Sequence, residues 1–303
     1  MGEVATPAIG RSGRAARRPR LKDAAQALSG PGWLRATVLL ATAFYGVLPL
    51  VATVLYSVAT VWRRKPLPDG YTVKWWIATL HDPGFLNALG RSLWVAILTV
   101  ILVNVLVLPP LYWGHVRNPR IRPVLQACAL IPFVLPGVVM ASAINRFVGL
   151  WPTTAELQAT SELLIIATVA VSFPAYVWAV DGSLRSGNIV SLWEAAETLG
   201  SNPLLTLRRV VIPNIRHGIA AGSLLVFASA IGDLALARII TGSAFETLPL
   251  WQLRQLHGTD ANPNAMAVSS VLGLIMLFSF SFGIVLHSRG RAVQLAPAGR
   301  VKR

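Results

Sequence analysis

The chain has 303 residues, 54% hydrophobic and 13% charged, with a mean hydropathy of +0.59. A soluble domain carries about 25% charged residues, so this balance excludes an ordinary soluble protein and points to a polytopic membrane protein. The net charge of +15 sits between apolar runs and at the chain ends, where it meets lipid headgroups and sets orientation, so nucleic-acid binding is not expected.

Residues 1–33 hold Arg11, Arg14, Arg17, Arg18, Arg20 and Lys22 among Gly, Ala and Pro, and read as a disordered basic tail. The first apolar run starts past residue 33 and is too long for a signal peptide. Six stretches lack Asp, Glu, Lys and Arg: Ala36 to Trp62, Ser92 to Val116, Pro123 to Asn145, Leu163 to Val180, His217 to Gly232, and Ala261 to Ser288. A spanning helix needs about 20 mostly apolar residues. The fifth stretch reaches that length as one helix, His217 to Ile239, with Asp233 inside it or near its end. Backbone groups in lipid must pair internally, so the fold class is all-α: a bundle of six transmembrane helices over 34–290, with a second tail over 291–303.

Positive charge orients the bundle. With both termini cytoplasmic, the inner pieces hold 19 Lys and Arg and the outer pieces 8. Arg63, Arg64 and Lys65 then lie outside the first span, against the rule, which suggests a folded external segment. Trp75, Trp76, Phe85 and Leu86 suit a position along the membrane interface. Pro109-Pro110, Pro132, Pro136-Gly137 and Pro174 are expected to kink their helices. Cys128, the one cysteine, is expected to pack as a small hydrophobe.

The hydrophilic stretch Asp181 to Arg216 is longer than a simple connector. Ser191 is placed to cap a short helix, with Glu194 three residues on. Leu192, Trp193, Ala196 and Leu199 share its apolar face. Gly200 suits a stop, and Pro203 the first turn of a second helix carrying Leu204, Leu207, Val210 and Val211, with Arg208 and Arg209 among them. Pro213 ends or kinks that helix before the next span, leaving a helix-turn-helix across the ends of the bundle.

Glu194, Ala195 and Ala196, then Gly200, Val210, Ile212 and Pro213, resemble the E-A-A-x3-G-x9-I-x-L-P signature of permease subunits of binding-protein-dependent ABC importers, with Val210 for Ile and Ile212 for Leu. Leu130 to Gly137 is similar to the Pro-rich third helix of these permeases. The resemblance implies a bacterial inner-membrane protein that works with an ABC ATPase dimer, a second permease subunit (homologous or identical), an extracytoplasmic solute-binding protein and membrane lipid. It implies that Glu194 to Gly200 seats in a cleft of the ATPase. ATP and Mg would be bound by that partner. The chain has no G-x-x-x-x-G-K-[ST] loop, no catalytic constellation and no metal-ligand spacing; His81, His115, His217, His257 and His287 are scattered.

Asp233 is the main pointer to cargo. An acidic residue at mid-helix costs about 2.5–3.5 kcal/mol on insertion scales, so it faces a cavity or a partner. It is either a cation contact in the translocation path, a pair with Arg238, or a wet interfacial group. Gly232-Asp233-Leu234 and Phe245 to Leu250 look like the corresponding region of spermidine/putrescine permeases, with aminoethylphosphonate and ferric-iron permeases as relatives and sugar permeases a poorer fit. Asn145, Arg146 and Arg238 are candidate donors to a phosphonate, although Arg146 reads first as a residue snorkelling to the outer interface. An ion-coupled secondary transporter and a membrane scaffold are the competing classes.

Overall fold

The structure is a computed structural model and describes residues 32–62, 65–259 and 261–290. Of the tail expected over 1–33, residues 1–31 lie outside the described residues, as do the tail over 291–303 and Arg63 and Arg64; Gly32 and Trp33 belong to the first helix instead. Helix α1 (Gly32–Val58) opens the described chain. Contacts divide the chain into one unit ending at Ala52 and a second beginning at Thr53, and the packing described below is that of the second.

Helices α2 (Lys74–Leu80) and α3 (Pro83–Val116) come next. Asp82 caps α3, accepting from the Gly84 N–H at 2.8 Å, with Pro83 at the first helical position. The segment before α2 is folded, as expected: Ala59 bridges Tyr71, and the Trp75 indole donates to the Ala59 carbonyl at 3.0 Å. Phe85 is not interfacial. It is fully buried, edge-on to Trp251 at 5.3 Å between ring centroids, because α3 begins inside the bundle.

The third expected span is two helices, α4 (Ile121–Val134) and α5 (Gly137–Gly149), bent by 105°. Pro136 pushes Leu135 out of the helical region, to φ −97° and ψ 126°, so the chain breaks where a kink was expected. Cys128 is exposed on α4 rather than packed inside. A short helix, α6 (Pro152–Ala155), precedes α7 (Ser161–Ser186), capped by Thr160, which accepts from the Leu163 N–H at 3.3 Å.

The next elements are α8 (Ile189–Thr198), α9 (Pro203–Asn214) and α10 (Arg216–Gly232), with α9 and α10 bent by 79°. Helices α11 (Leu234–Ile240), α12 (Leu248–His257) and α13 (Pro263–Gly290) complete the described chain. Among the described residues four helices are long and apolar enough to cross a membrane, and up to six spans result if each bent pair counts as one. The all-α membrane bundle is therefore as expected.

Helices α3, α7 and α10 form the centre. Val103, Val107, Leu111, Tyr176, Val177, Val180 and Val226 belong to one buried cluster. Gly218 and Gly222, four apart on α10, allow the close approach to α7. A Cβ on Gly222 would lie 2.9 Å from Tyr176 Cδ2, and one on Gly218 would run into the Ser183 side chain. At the same level the Tyr176 hydroxyl donates to Asn104 Oδ1 at 2.7 Å, and Asn104 Nδ2 donates to Ser223 Oγ at 2.9 Å, joining the three helices by polar contacts. Such contacts contribute about 0.6–1.7 kcal/mol each in a membrane bundle.

Candidate functional site

The connection from α7 to α10 begins with only Gly187 and Asn188 between α7 and α8. Asn188 adopts the left-handed conformation, φ 48°, which Asn tolerates. The helix thus starts before Ser191, which lies within it and donates to Asn188 Oδ1 at 3.2 Å; the expected Ser191 cap does not form. Gly200 stops the helix as expected. Its φ is +76°, its N–H donates to the Glu197 carbonyl, and the Ser201 N–H reaches the Ala196 carbonyl at 3.0 Å. Asn202 caps α9, accepting from the Leu204 N–H at 3.0 Å, and Pro203 opens it.

Within α9, Leu207–Val211 widen into a π turn in which the Ile212 N–H donates to the Leu207 carbonyl. A π turn makes room for the ring of Pro213, which in a regular helix collides with a carbonyl four residues back. The chain then turns at Ile215 into α10.

Two faces result. Ile189, Leu207, Val211 and Ile215 are buried in the same cluster as Leu184 and Tyr112, so the loop is rooted in the bundle core. Leu192, Trp193 and Ile212 pack against that root. Outward stand Val190, Glu194, Ala195 and Leu204, with Ala196 half-buried and Val210 at the flank. Leu199 is 87% exposed instead of sharing the inner apolar face, because the turn at Gly200 carries it outward. Arg117 stacks on Trp193 at 5.4 Å and lies 3.7 Å from Glu197, holding α8 to the end of α3.

Asp233 is not inside a helix. The helix ends at Gly232, and Asp233, at ψ 100°, caps α11 by accepting from the Leu236 N–H at 2.9 Å. A carboxylate there is better placed as a cap than as an interruption of a continuous helix. It forms no ion pair with Arg238, whose side chain is exposed. Asn145 on α5 does meet α11, donating to the Ile239 carbonyl at 3.5 Å, while its Oδ1 is buried without a partner. Asp233 and Ile239 stand about 9 Å apart along α11, so the four cargo candidates do not converge on one point. Arg146 is exposed, and Arg238 borders a cleft of about 500 Å³ that also takes in Glu246, Arg254 and His257.

Sequence reasoning missed the surroundings of Asp181. This side chain is buried on α7 and meets His115, Arg122, Gln126 and Arg185. The signal was an aspartate four residues before an arginine at the end of an apolar run.

The sequence profile of the binding-protein-dependent transport system inner membrane component family matches residues 110–291. The spermidine/putrescine transport system permease protein PotC of Escherichia coli is 27% identical over 217 residues, covering 70% of this chain and 79% of that one. The putrescine transport system permease protein PotI of the same species is 27% identical over 247 residues, covering 77% and 83%. A probable molybdenum ABC transporter permease protein of Haloferax volcanii is 31% identical over 206 residues, covering 63% and 74%. Among solved structures, a chain of a bacterial ABC transporter that imports the acidic polysaccharide alginate superposes with a TM-score of 0.62 at 13% identity, covering 91% of this chain and 99% of that one. The chain belongs to the binding-protein-dependent transport system inner membrane component family and is a membrane-embedded permease subunit of an ABC importer.

Proposed function

We propose that this permease is driven by a separate ATPase dimer that grips α8, and that it carries a small ammonium-bearing solute inward. The observation that carries the coupling reading is the division of the α7–α10 connection into a buried root and an outward face of Glu194, Ala195 and Leu204. A force on that face passes into α7 and α10 through packed side chains. Small Ala195 permits close approach, Glu194 offers a carboxylate to a polar or basic partner, and Gly200 keeps the turn narrow. ATP and Mg belong to the partner in this reading. The end of the bundle bearing α8 is cytoplasmic, as are both termini. Apolar side chains exposed on α4 and α5, such as Val124, Phe133 and Val138, suit a second permease subunit or lipid, and a solute-binding protein delivers cargo at the opposite end.

The amine reading rests on the polyamine relatives and on Asp233. Helix α10 has 17 residues and rises about 25 Å, less than the roughly 30 Å of a hydrocarbon layer, so in the proposed orientation Asp233 at its end still falls within that layer. Broken helices with capped charges at such depth suit a path for polar solutes. Asn caps a helix as well as Asp, so Asp233→Asn removes the charge and keeps the fold. We expect labelled putrescine uptake by vesicles containing the complete transporter to fall about tenfold in Asp233→Asn with assembly unchanged. Uptake equal to that of the unaltered protein would reject the contact. The molybdenum relatives, with exposed Arg146 and Arg238, favour a second reading in which the cargo is an oxyanion; labelled molybdate uptake in place of putrescine uptake would establish it.

A further inference from the structure

Asp181 lies on α7, two turns before α8, with its side chain 5% exposed. Its Oδ1 accepts from Arg122 Nε at 3.1 Å and faces His115 Nε2 at 2.7 Å. Its Oδ2 accepts from Gln126 Nε2 at 3.0 Å and from Arg185. These partners come from the end of α3, the start of α4 and the last turn of α7. Gly114 on α3 lies against the start of α4, where a Cβ would stand 3.3 Å from the Arg122 nitrogen. One carboxylate thus ties three helices together at the level where the α7–α10 connection departs.

A buried carboxylate that loses its partners is strongly disfavoured, so the four contacts persist together or fail together. Only Gly187 and Asn188 separate α7 from α8, and Arg117 fastens α8 to the tip of α3. We propose that Asp181 is a positioning residue for energy coupling: it locks α3, α4 and α7 into one body at the root of α8, so that movement imposed on α8 reaches all three helices. This role rests on the docking reading of α8. An open cleft of about 670 Å³, lined by Gln126, Trp178, Asp181 and Arg185, adjoins the cluster and gives released side chains room to move rather than repack.

The test uses the complete transporter in lipid nanodiscs, with Cys128→Ser to remove the native thiol. Spin labels go on Ser191→Cys in α8, away from the docking face, and Leu106→Cys in α3, both exposed positions. Without nucleotide and with ATP plus vanadate, the label distance is expected to be single, narrow and the same, because the two helices move as one. Asp181→Asn is expected to replace it with a broad distribution and to lower ATP-driven uptake by about fivefold or more with the ATPase still co-purifying, and Asp181→Glu to restore the narrow distance. A narrow distance in Asp181→Asn overturns the proposal, as does a broad distance with unchanged uptake. Where Asp181→Asn fails to assemble, Gln126→Leu, which removes one neutral hydrogen bond, must broaden the distance, and a narrow one again overturns the role. Glu194→Lys in the same background separates the two readings: full uptake there rejects docking and this role with it, whereas a defective Glu194→Lys beside a narrow Asp181→Asn rejects this role alone.

Discussion

Glu194→Lys is expected to reduce ATP-driven uptake by about thirtyfold, the consequence of losing roughly 2 kcal/mol at the centre of a docking surface. Glu194 is exposed on α8 and enters no ion pair among the described residues, so charge reversal does not disturb the fold; surface changes of this kind usually stay within about 0.5 kcal/mol. Yield, elution volume and thermal unfolding should match the unaltered protein while uptake falls. Gly200 supplies an independent arm. Its φ of +76° costs an ordinary L residue about 1–2 kcal/mol, although a Cβ there meets nothing within 4 Å. Gly200→Val should therefore distort the end of α8 and impair uptake, and Gly200→Asn, which tolerates this conformation, should retain most of it. Normal uptake in both Glu194→Lys and Gly200→Val would remove α8 from the coupling path.

Gly218→Leu is expected to produce the largest loss of stability. A Cβ at this position already runs into the Ser183 side chain and lies 3.2 Å from the Ala179 carbonyl, part of the α7 backbone, which cannot rotate away. Overpacking of this kind costs about 1–3 kcal/mol, and here it drives α10 from α7 at the point where the rooted loop enters the bundle. Thermal unfolding in detergent should show a lowered midpoint, and co-purification of the ATPase should fall with it. Gly218→Ala should fall between the two. An unchanged midpoint for Gly218→Leu would mean that α7 and α10 are not in close contact there.

The loop was legible because its punctuation is local chemistry. Gly200 and Pro203 each act within one turn of backbone, and both behave as their residue types dictate. The start of α8 was misread because Asn188, a non-Gly residue, takes the left-handed conformation, and only the short link from α7 requires it. The apolar pattern located the spans but not their breaks. Pro136 announced a kink, while its size depends on how α5 packs with α11, where Ala141, Leu236 and Ile240 share a buried cluster. Asp233 was conspicuous as a charge, but its capping role needed the break at Gly232 to be seen. Asp181 was read as the first residue of a hydrophilic loop; α7 continues through Ser186 because partners from two other helices satisfy the carboxylate, and sequence distance hides such partners.

In the proposed coupling, α8 is held by an ATP-hydrolysing subunit. Cross-linking from Ala195→Cys in a Cys128→Ser transporter tests it directly, with a short reagent that is thiol-reactive at one end and photoreactive at the other, so that no cysteine is needed on the partner, applied to the working complex. An adduct between position 195 and the ATPase is expected, with a yield that changes between the nucleotide-free and ATP-bound states. A transporter that moves its solute at full rate and yields no such adduct in either state would contradict it.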